Sequence, residues 1–222
     1  MTPNLTNLLN NNTRLFFISP HLDDAILSAG GLIYDLKDNN KIKIITVFTK
    51  GDKFFVDRKM EDKKVCQYLG VNYLHLGFKD ALWRKTYNSI KNIFSKKINS
   101  TKEEAELEKI IIKKLKKIIK NTKNTIIFAP LSIGNHIDHR IINKICRENF
   151  TNVIYWEDYP YNLKLNLSEE LVKKNSLTKF EFSKNLLVKD KLIKFYKSQI
   201  TSLFGDKPII LKKEKYYFSE SN

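Results

Sequence analysis

A chain of 222 residues with 42% hydrophobic side chains is long enough for one sizeable α/β core, or one domain with a small appendage, and too short for several. Its formal net charge of +16 keeps an anionic partner in view. Lysine is nevertheless spread along the whole chain beside abundant Asn and Ile, which reads as a compositional bias and not as one binding stripe.

No apolar run approaches the roughly 20 residues that span a bilayer, so no transmembrane segment is expected. Met1 to Thr13 is polar and Asn-rich, without the apolar centre of a secretory leader. Cys66 and Cys146 both sit in apolar helical patterns outside any CxxC spacing, so reduced core thiols in a cytoplasmic protein are expected.

In chain order, Leu15 to Ser19 reads as a buried strand and residues 25–38 as a helix, with Leu27, Ile33 and Leu36 facing inward. Gly30 and Gly31 weaken that helix, and their use is a close approach of its backbone to a neighbour. Ile42 to Thr49 is a nearly continuous β-branched and aromatic run, which fits a strand covered on both faces. A helix from about Asp57, carrying Met60, Val65 and Leu69, stops at Gly70. Asn72 to Leu76 is a third strand, with His75 as a structural histidine. The order β-α-β-α-β predicts a Rossmann-like, doubly wound α/β fold, mostly parallel, with helices on both faces.

Residues 77–100 are irregular and hold Asp80, Trp83, Arg84 and Tyr87, a composition that suits a cleft wall. Thr101 and Glu104 have capping-box spacing and open a helix that is acidic first and basic last, matching the dipole. Thr125 to Ala129 is a fourth strand. A helix follows from about Arg140 to Asn149, and then a fifth strand from Val153 to Trp156. Thr178 to Phe182 alternates as a short strand, residues 184–199 read as one basic amphipathic helix, and Ile209 to Phe218 as a last extended segment. Nothing demands a second domain, so residues 1–222 are taken as one.

In open α/β sheets ligands bind outside the carboxyl ends of the strands. Three clusters follow strands here: His21, Asp23 and Asp24; His136, Asp138 and His139; and Glu157 with Asp158. Imidazoles and carboxylates converging with one open position form the pattern of a catalytic zinc or similar divalent ion. One of Asp23 and Asp24 can bind the metal while the other stands beside the water it activates as general base. One of His136 and His139 can be a ligand while the other, as an imidazolium, stabilises an oxyanion or protonates a leaving group. Asp138 can orient an imidazole. The chemistry is metal-assisted hydrolysis of an amide or ester.

At these residues the chain resembles the PIG-L/LmbE-like metal-dependent N-deacetylases. His21-Leu22-Asp23-Asp24-Ala25 is similar to that family's His-Pro-Asp-Asp-Glu, and His136-Ile137-Asp138-His139 to its His-Pro-Asp-His. Arg58-x-x-Glu61-Asp62 with Leu69-Gly70 resembles its Arg-x-x-Glu helix, and Gly77-Phe78-x-Asp80 its segment after the third strand. Tyr155-x-Glu157-Asp158-x-Pro160-Tyr161, and Lys191 with Tyr196-x-Ser198-Gln199, match later motifs, so the likeness covers about residues 14–205. It implies zinc or another divalent metal on His21, Asp24 and His139, with Asp23 as general base and His136 as the oxyanion-stabilising acid. It also implies contacts of Arg58 and Asp80 with a substrate that is an N-acylated amino sugar or glycoconjugate. Ala25 replaces the usual Glu, while Leu22 and Ile137 replace prolines and spare every ligand.

The high charge supports two other readings: an anionic substrate such as a nucleotide sugar, or an anion- or nucleic-acid-binding protein with a structural metal. A structural zinc is normally closed by four protein ligands, and three fit here, so no nucleic-acid partner is expected.

Overall fold

The structure is a computed structural model that describes residues 12–87, 89–95, 101–120, 124–165 and 176–219. The expectation for the Asn-rich N-terminus falls almost wholly outside these. Seven strands form one sheet: β1 (Arg14–Ser19), β2 (Lys41–Lys50), β3 (Asn72–Lys79), β4 (Thr125–Pro130), β5 (Val153–Trp156), β6 (Leu177–Phe182) and β7 (Glu214–Ser219). They lie in the order β3-β2-β1-β4-β5-β7-β6. The first five strands pair in parallel, and β7 and β6 add an antiparallel edge. The chain thus winds outward from β1 to β3 and then returns to β4, so the loops after β1 and β4 part at the point where the winding reverses. That is where a doubly wound sheet opens a crevice.

The helices are α1 (Asp24–Leu36), α2 (Phe55–Leu69), a single turn α3 (Ile90–Ile93), α4 (Lys102–Ile118), α5 (Ile137–Asn149), α6 (Leu186–Ile193) and α7 (Lys197–Phe204). Alternate side chains of the central strands separate two cores. Leu15, Phe17, Ile42 and Ile44 pack with α1, α2 and α6 on one face, and Phe16, Ile18, Ile45 and Val47 with α4 and α5 on the other. This explains the unbroken apolar runs, since both faces of each strand are covered. Phe17 and Phe128 stack at 4.4 Å between neighbouring strands. Among the described residues, no helix is long and apolar enough to cross a membrane.

Several boundaries differ from the sequence expectation for identifiable reasons. The strand β3 continues to Lys79, because register shifts against β2 carry it past Gly77, whose N–H donates to Thr49 Oγ1 at 3.0 Å. Helix α5 begins at Ile137, with His136 itself as N-cap. Met60 is 48% exposed, so α2 turns Val65, Cys66 and Leu69 inward without it. The helix expected over residues 184–199 is two, α6 and α7, broken where buried Tyr196 turns in and donates its hydroxyl to Asp62 Oδ1 at 2.7 Å. The last segment is a strand only from Glu214. His75 is structural, as expected, and pairs with the same Asp62 at 2.7 Å. Both cysteines are buried and unpaired.

Gly31 shows the close approach that its place in a helix suggested. Its N–H donates to Glu214 Oε1 at 2.8 Å, and Glu214 in turn pairs with buried Lys189 at 3.0 Å. A Cβ on Gly31 would lie 3.1 Å from the backbone oxygen of Lys184 and 3.2 Å from Glu214, whereas one on Gly30 would meet side-chain carbons of Leu192, Ile26 and Lys189 at an ordinary 3.4, 3.5 and 3.7 Å. Gly30→Ala should therefore gain helix propensity. Gly31→Ala should be less stable than Gly30→Ala by about 1–3 kcal/mol, the usual range for overpacking. Urea unfolding of the two variants checks this, and equal stabilities would refute the close approach.

Candidate metal centre and active site

The turn between β1 and α1 is fixed by its own hydrogen bonds. Ser19 Oγ donates to the carbonyl oxygen of His21 at 2.7 Å and accepts the N–H of Ala25 at 3.0 Å. Asp24 Oδ2 accepts the backbone N–H of His21 at 2.7 Å. Pro20 keeps the turn in register with the sheet by accepting from Phe48 N at 2.9 Å. The tight turn splits the two adjacent carboxylates as the sequence required: Asp24 turns towards the histidines, and Asp23 turns towards Arg58, 3.8 Å from its guanidinium.

The imidazoles of His21 and His139 are each held by one nitrogen. His21 Nε2 lies 3.0 Å from Asp138 Oδ2, and His139 Nδ1 lies 2.7 Å from Asp158 Oδ1. With those nitrogens as donors, the lone pairs fall on His21 Nδ1 and His139 Nε2. Both of these nitrogens face one atom, Asp24 Oδ2, at 3.2 and 3.3 Å. Carboxylates behind metal-ligating histidines commonly fix the tautomer in this way. The carboxylates are themselves anchored. Asp158 Oδ2 accepts Ile133 N at 2.7 Å, and Asp138 accepts Ala81 N at 3.0 Å and the guanidinium of Arg84 at 2.6 Å.

Two other groupings gather round His21, one with His136 and His139 and one with Asp80 and Asp138, each with potential ligand atoms within 4.8 Å of one another. The second is already engaged: Arg84 neutralises Asp138, and Asp80 caps the turn at Leu82 N, 3.0 Å away. In the first, His136 has only one nitrogen to offer, since its Nδ1 accepts the N–H of Asp138 at 3.2 Å. Any proton on neutral His136 is therefore on Nε2.

Two observations show that the cluster suits a cation. His139 Nε2 is buried and makes no hydrogen bond. Among the described residues, five buried carboxylates, Asp23, Asp24, Asp80, Asp138 and Asp158, share two guanidinium partners, Arg58 on Asp23 and Arg84 on Asp138. The protonation pattern reflects this surplus. Burial disfavours charge on His139, but Asp24 and Asp158 outweigh it and raise the ring's pKa to about 10. His21 is also raised: burial opposes, and Asp80, Asp138 and Asp24 prevail. Burial and the neighbouring Asp24 charge push the Asp23 carboxyl up to about 6, against the pull of Arg58 and His21. His136 goes the other way, to about 3, through burial and the adjacent His21. With Nδ1 taken up by the Asp138 N–H, His136 presents only Nε2 to the site.

The structure brings His21, Asp23, Asp24, His136, Asp138 and His139 together at one end of the sheet. Arg58 joins them through Asp23, and its guanidinium lies over the Phe55 ring at 4.9 Å. Asp80 is buried, with one oxygen on Leu82 N and the other 3.4 Å from His21 Nε2. Sequence reasoning left two participants undecided. Asp158 stands two residues beyond β5, and its signals were that position and its place in the Tyr155-x-Glu157-Asp158-x-Pro160-Tyr161 motif. Arg84 enters through Asp138, with buried Glu104 behind it at 3.6 Å. Glu157 instead accepts the Tyr217 hydroxyl at 2.7 Å on the sheet side.

A doubly wound sheet with paired imidazoles and carboxylates at its carboxyl edge defines an α/β protein built around a metal-type centre. The chain belongs to the GlcNAc-PI de-N-acetylase (PIG-L) family, whose pattern matches residues 16–150. It is 25% identical over 166 residues to 2'-N-acetylparomamine deacetylase of Streptomyces fradiae, covering 67% of this chain and 57% of that protein. The enzyme of the same name from Niallia circulans is 25% identical over 244 residues, covering 89% of this chain and 85% of the relative. Among solved structures, the zinc-inhibited form of a teicoplanin deacetylase superposes with a TM-score of 0.73 at 20% identity, covering 95% of this chain and all of that one. That likeness establishes the Rossmann-like fold.

The Asp138 carboxylate supports both His21 and Arg84. Asp138→Ala leaves a buried guanidinium without its 2.6 Å partner and is expected to lower stability by about 3–5 kcal/mol. Chemical denaturation checks this, and a loss below about 1 kcal/mol would show a surface-like pair instead.

Proposed function

We propose that the protein is a zinc-dependent, or otherwise divalent-metal-dependent, N-deacetylase that hydrolyses the N-acyl group of an amino sugar or glycoconjugate. The observation that carries the reading is the convergence of His21 Nδ1 and His139 Nε2 on Asp24 Oδ2, with Asp23 beside them. Family membership and the two N-acetylparomamine deacetylases supply the substrate class. The chain spans little more than half the length of the Streptomyces relative, and that relative's particular sugar is not carried over to it.

His21, Asp24 and His139 hold the ion in this reading. A divalent ion held there supplies Lewis acidity, polarising the amide carbonyl and lowering the pKa of water towards about 7. Asp23, poised at about 6, takes a proton from the attacking water as the new C–O bond forms. Arg58 holds Asp23 in place and limits the rise of its pKa. Neutral His136 donates from Nε2 to the oxygen that gains negative charge. The C–N bond then breaks, Asp23 returns its proton to the departing nitrogen, and the products are acetate and a free amine. Asp158 and Asp138 orient the two metal-binding rings. Arg58 and Asp80 remain the proposed contacts for sugar hydroxyls.

Three protein ligands leave a coordination position for solvent, which suits catalysis and not a closed structural site. This sets aside the nucleic-acid-binding alternative. Two buried, reduced thiols fit a cytoplasmic enzyme, and we place it there as one catalytic domain.

Acetate release from N-acetylglucosamine derivatives tests the reading, and a chelator is expected to abolish it. Asp23→Asn should lower kcat by about 10²–10⁴-fold, and His136→Ala by about 10²–10³-fold. Full activity in both variants would refute the roles. Asp158→Asn should weaken zinc binding by about 10–100-fold, read by competition with a chromophoric chelator. Unchanged affinity would remove Asp158 from the account.

A further inference from the structure

A cavity of about 410 Å³ lies beside the metal centre and contains none of its proposed ligands. Its walls come from the end of β2 (Lys50), the end of β3 (Gly77, Phe78, Lys79), the turn after it (Trp83 to Thr86) and the first half of α4 (Glu103, Glu104, Leu107). Arg84 is the partition. One side of it lines the cavity, and the other holds Asp138, which holds His21.

The charges in this cavity are not balanced. Arg84 is neutralised by Asp138 and by Glu104, at 2.6 and 3.6 Å. Glu103 accepts the Thr86 hydroxyl at 3.3 Å. Among the described residues, Lys50, Lys79 and Lys85 have no carboxylate within ion-pair distance. Three lysines from separate segments thus line one concave space.

Trp83 joins the cavity to the active site. Its indole is 45% exposed, and it packs with Phe55 over Gly51, where a Cβ would lie 2.6 Å from Trp83 Nε1 and 2.2 Å from the Phe55 ring. Phe55 stacks on Arg58, which pairs with Asp23. An exposed indole next to a polar cleft is a surface on which the apolar face of a sugar ring can lie. The volume is within the range of small-molecule sites and exceeds what a bare phosphate fills.

We infer that this cavity is a second subsite that binds a phosphorylated sugar portion of the substrate, with Trp83 under the ring and Lys50, Lys79 and Lys85 on the phosphate. The assignment deepens the deacetylase reading and rests on it for the link to catalysis. Binding to the cavity can be tested apart from turnover.

The chain has two tryptophans, and Trp156 is fully buried while Trp83 is open to solvent. Iodide-quenchable emission therefore reports Trp83. The full-length Asp23→Asn protein is titrated with N-acetylglucosamine, its 1-phosphate, its 6-phosphate and inorganic phosphate, and acetate release by the wild type is followed separately. At low salt, one sugar phosphate should bind about tenfold more tightly than the neutral sugar and shield Trp83, in line with up to three partly exposed ion pairs. That advantage should shrink at high salt.

A Lys50→Ala, Lys79→Ala, Lys85→Ala triple variant changes only exposed side chains. It should lose the advantage while binding the neutral sugar as before. Equal affinity for the neutral and both phosphorylated sugars, an advantage kept by the triple variant, or inorganic phosphate binding as tightly as the sugar phosphates would each overturn the inference. Absence of acetate release, with shielding intact, would count against the deacetylase reading and leave the subsite standing.

Discussion

Everything at the centre depends on two hydrogen bonds that face away from it. Asp138 holds His21 by Nε2 and Asp158 holds His139 by Nδ1, so the opposite nitrogens of the two rings meet at one carboxylate oxygen of Asp24. If either outer bond were lost, a ring could turn or change tautomer, and the convergence would go with it. The fold supplies these carboxylates from distant places. Asp138 comes from the first turn of α5, and Asp158 from the loop after β5, where Ile133 N anchors it.

This arrangement gives neighbouring groups different tasks by giving them different surroundings. Asp23 and Asp24 are adjacent in the chain, yet Asp24 is held well below the usual carboxylate range despite its burial, by His139 and His21, while Asp23 rises to about 6. His136 and His139 are three residues apart on one helix start. One is pushed down to about 3, by burial first and then by the adjacent His21, and the other up to about 10, because Asp24 and Asp158 outweigh its burial. Titratable pairs pushed apart in this manner mark acid–base sites. Burial and the charges of the neighbouring carboxylates and imidazoles produce the divergence.

Much of this was legible in the chain. The apolar runs at Leu15 and Ile42 announced strands buried on both faces, and the β-α-β-α-β order announced the doubly wound sheet. Each strand-end cluster stood at a boundary that composition alone could locate. The hidden parts depend on contacts distant in sequence. Arg84 reads as an ordinary loop cation until it is seen on Asp138, 54 positions later. Tyr196 looked like one more residue of an amphipathic helix, and its hydroxyl is drawn to Asp62 across 134 positions, which breaks the helix in two. The orientation of His136 was equally invisible, since it follows from the Asp138 N–H that caps its Nδ1.

The most direct test is anomalous diffraction at the zinc absorption edge from a crystal of the full chain grown with zinc. The account predicts a single strong peak about 2.0–2.2 Å from His21 Nδ1, Asp24 Oδ2 and His139 Nε2. A peak on the other side of His21, between Asp80 and Asp138, or no peak near Asp24, would contradict it.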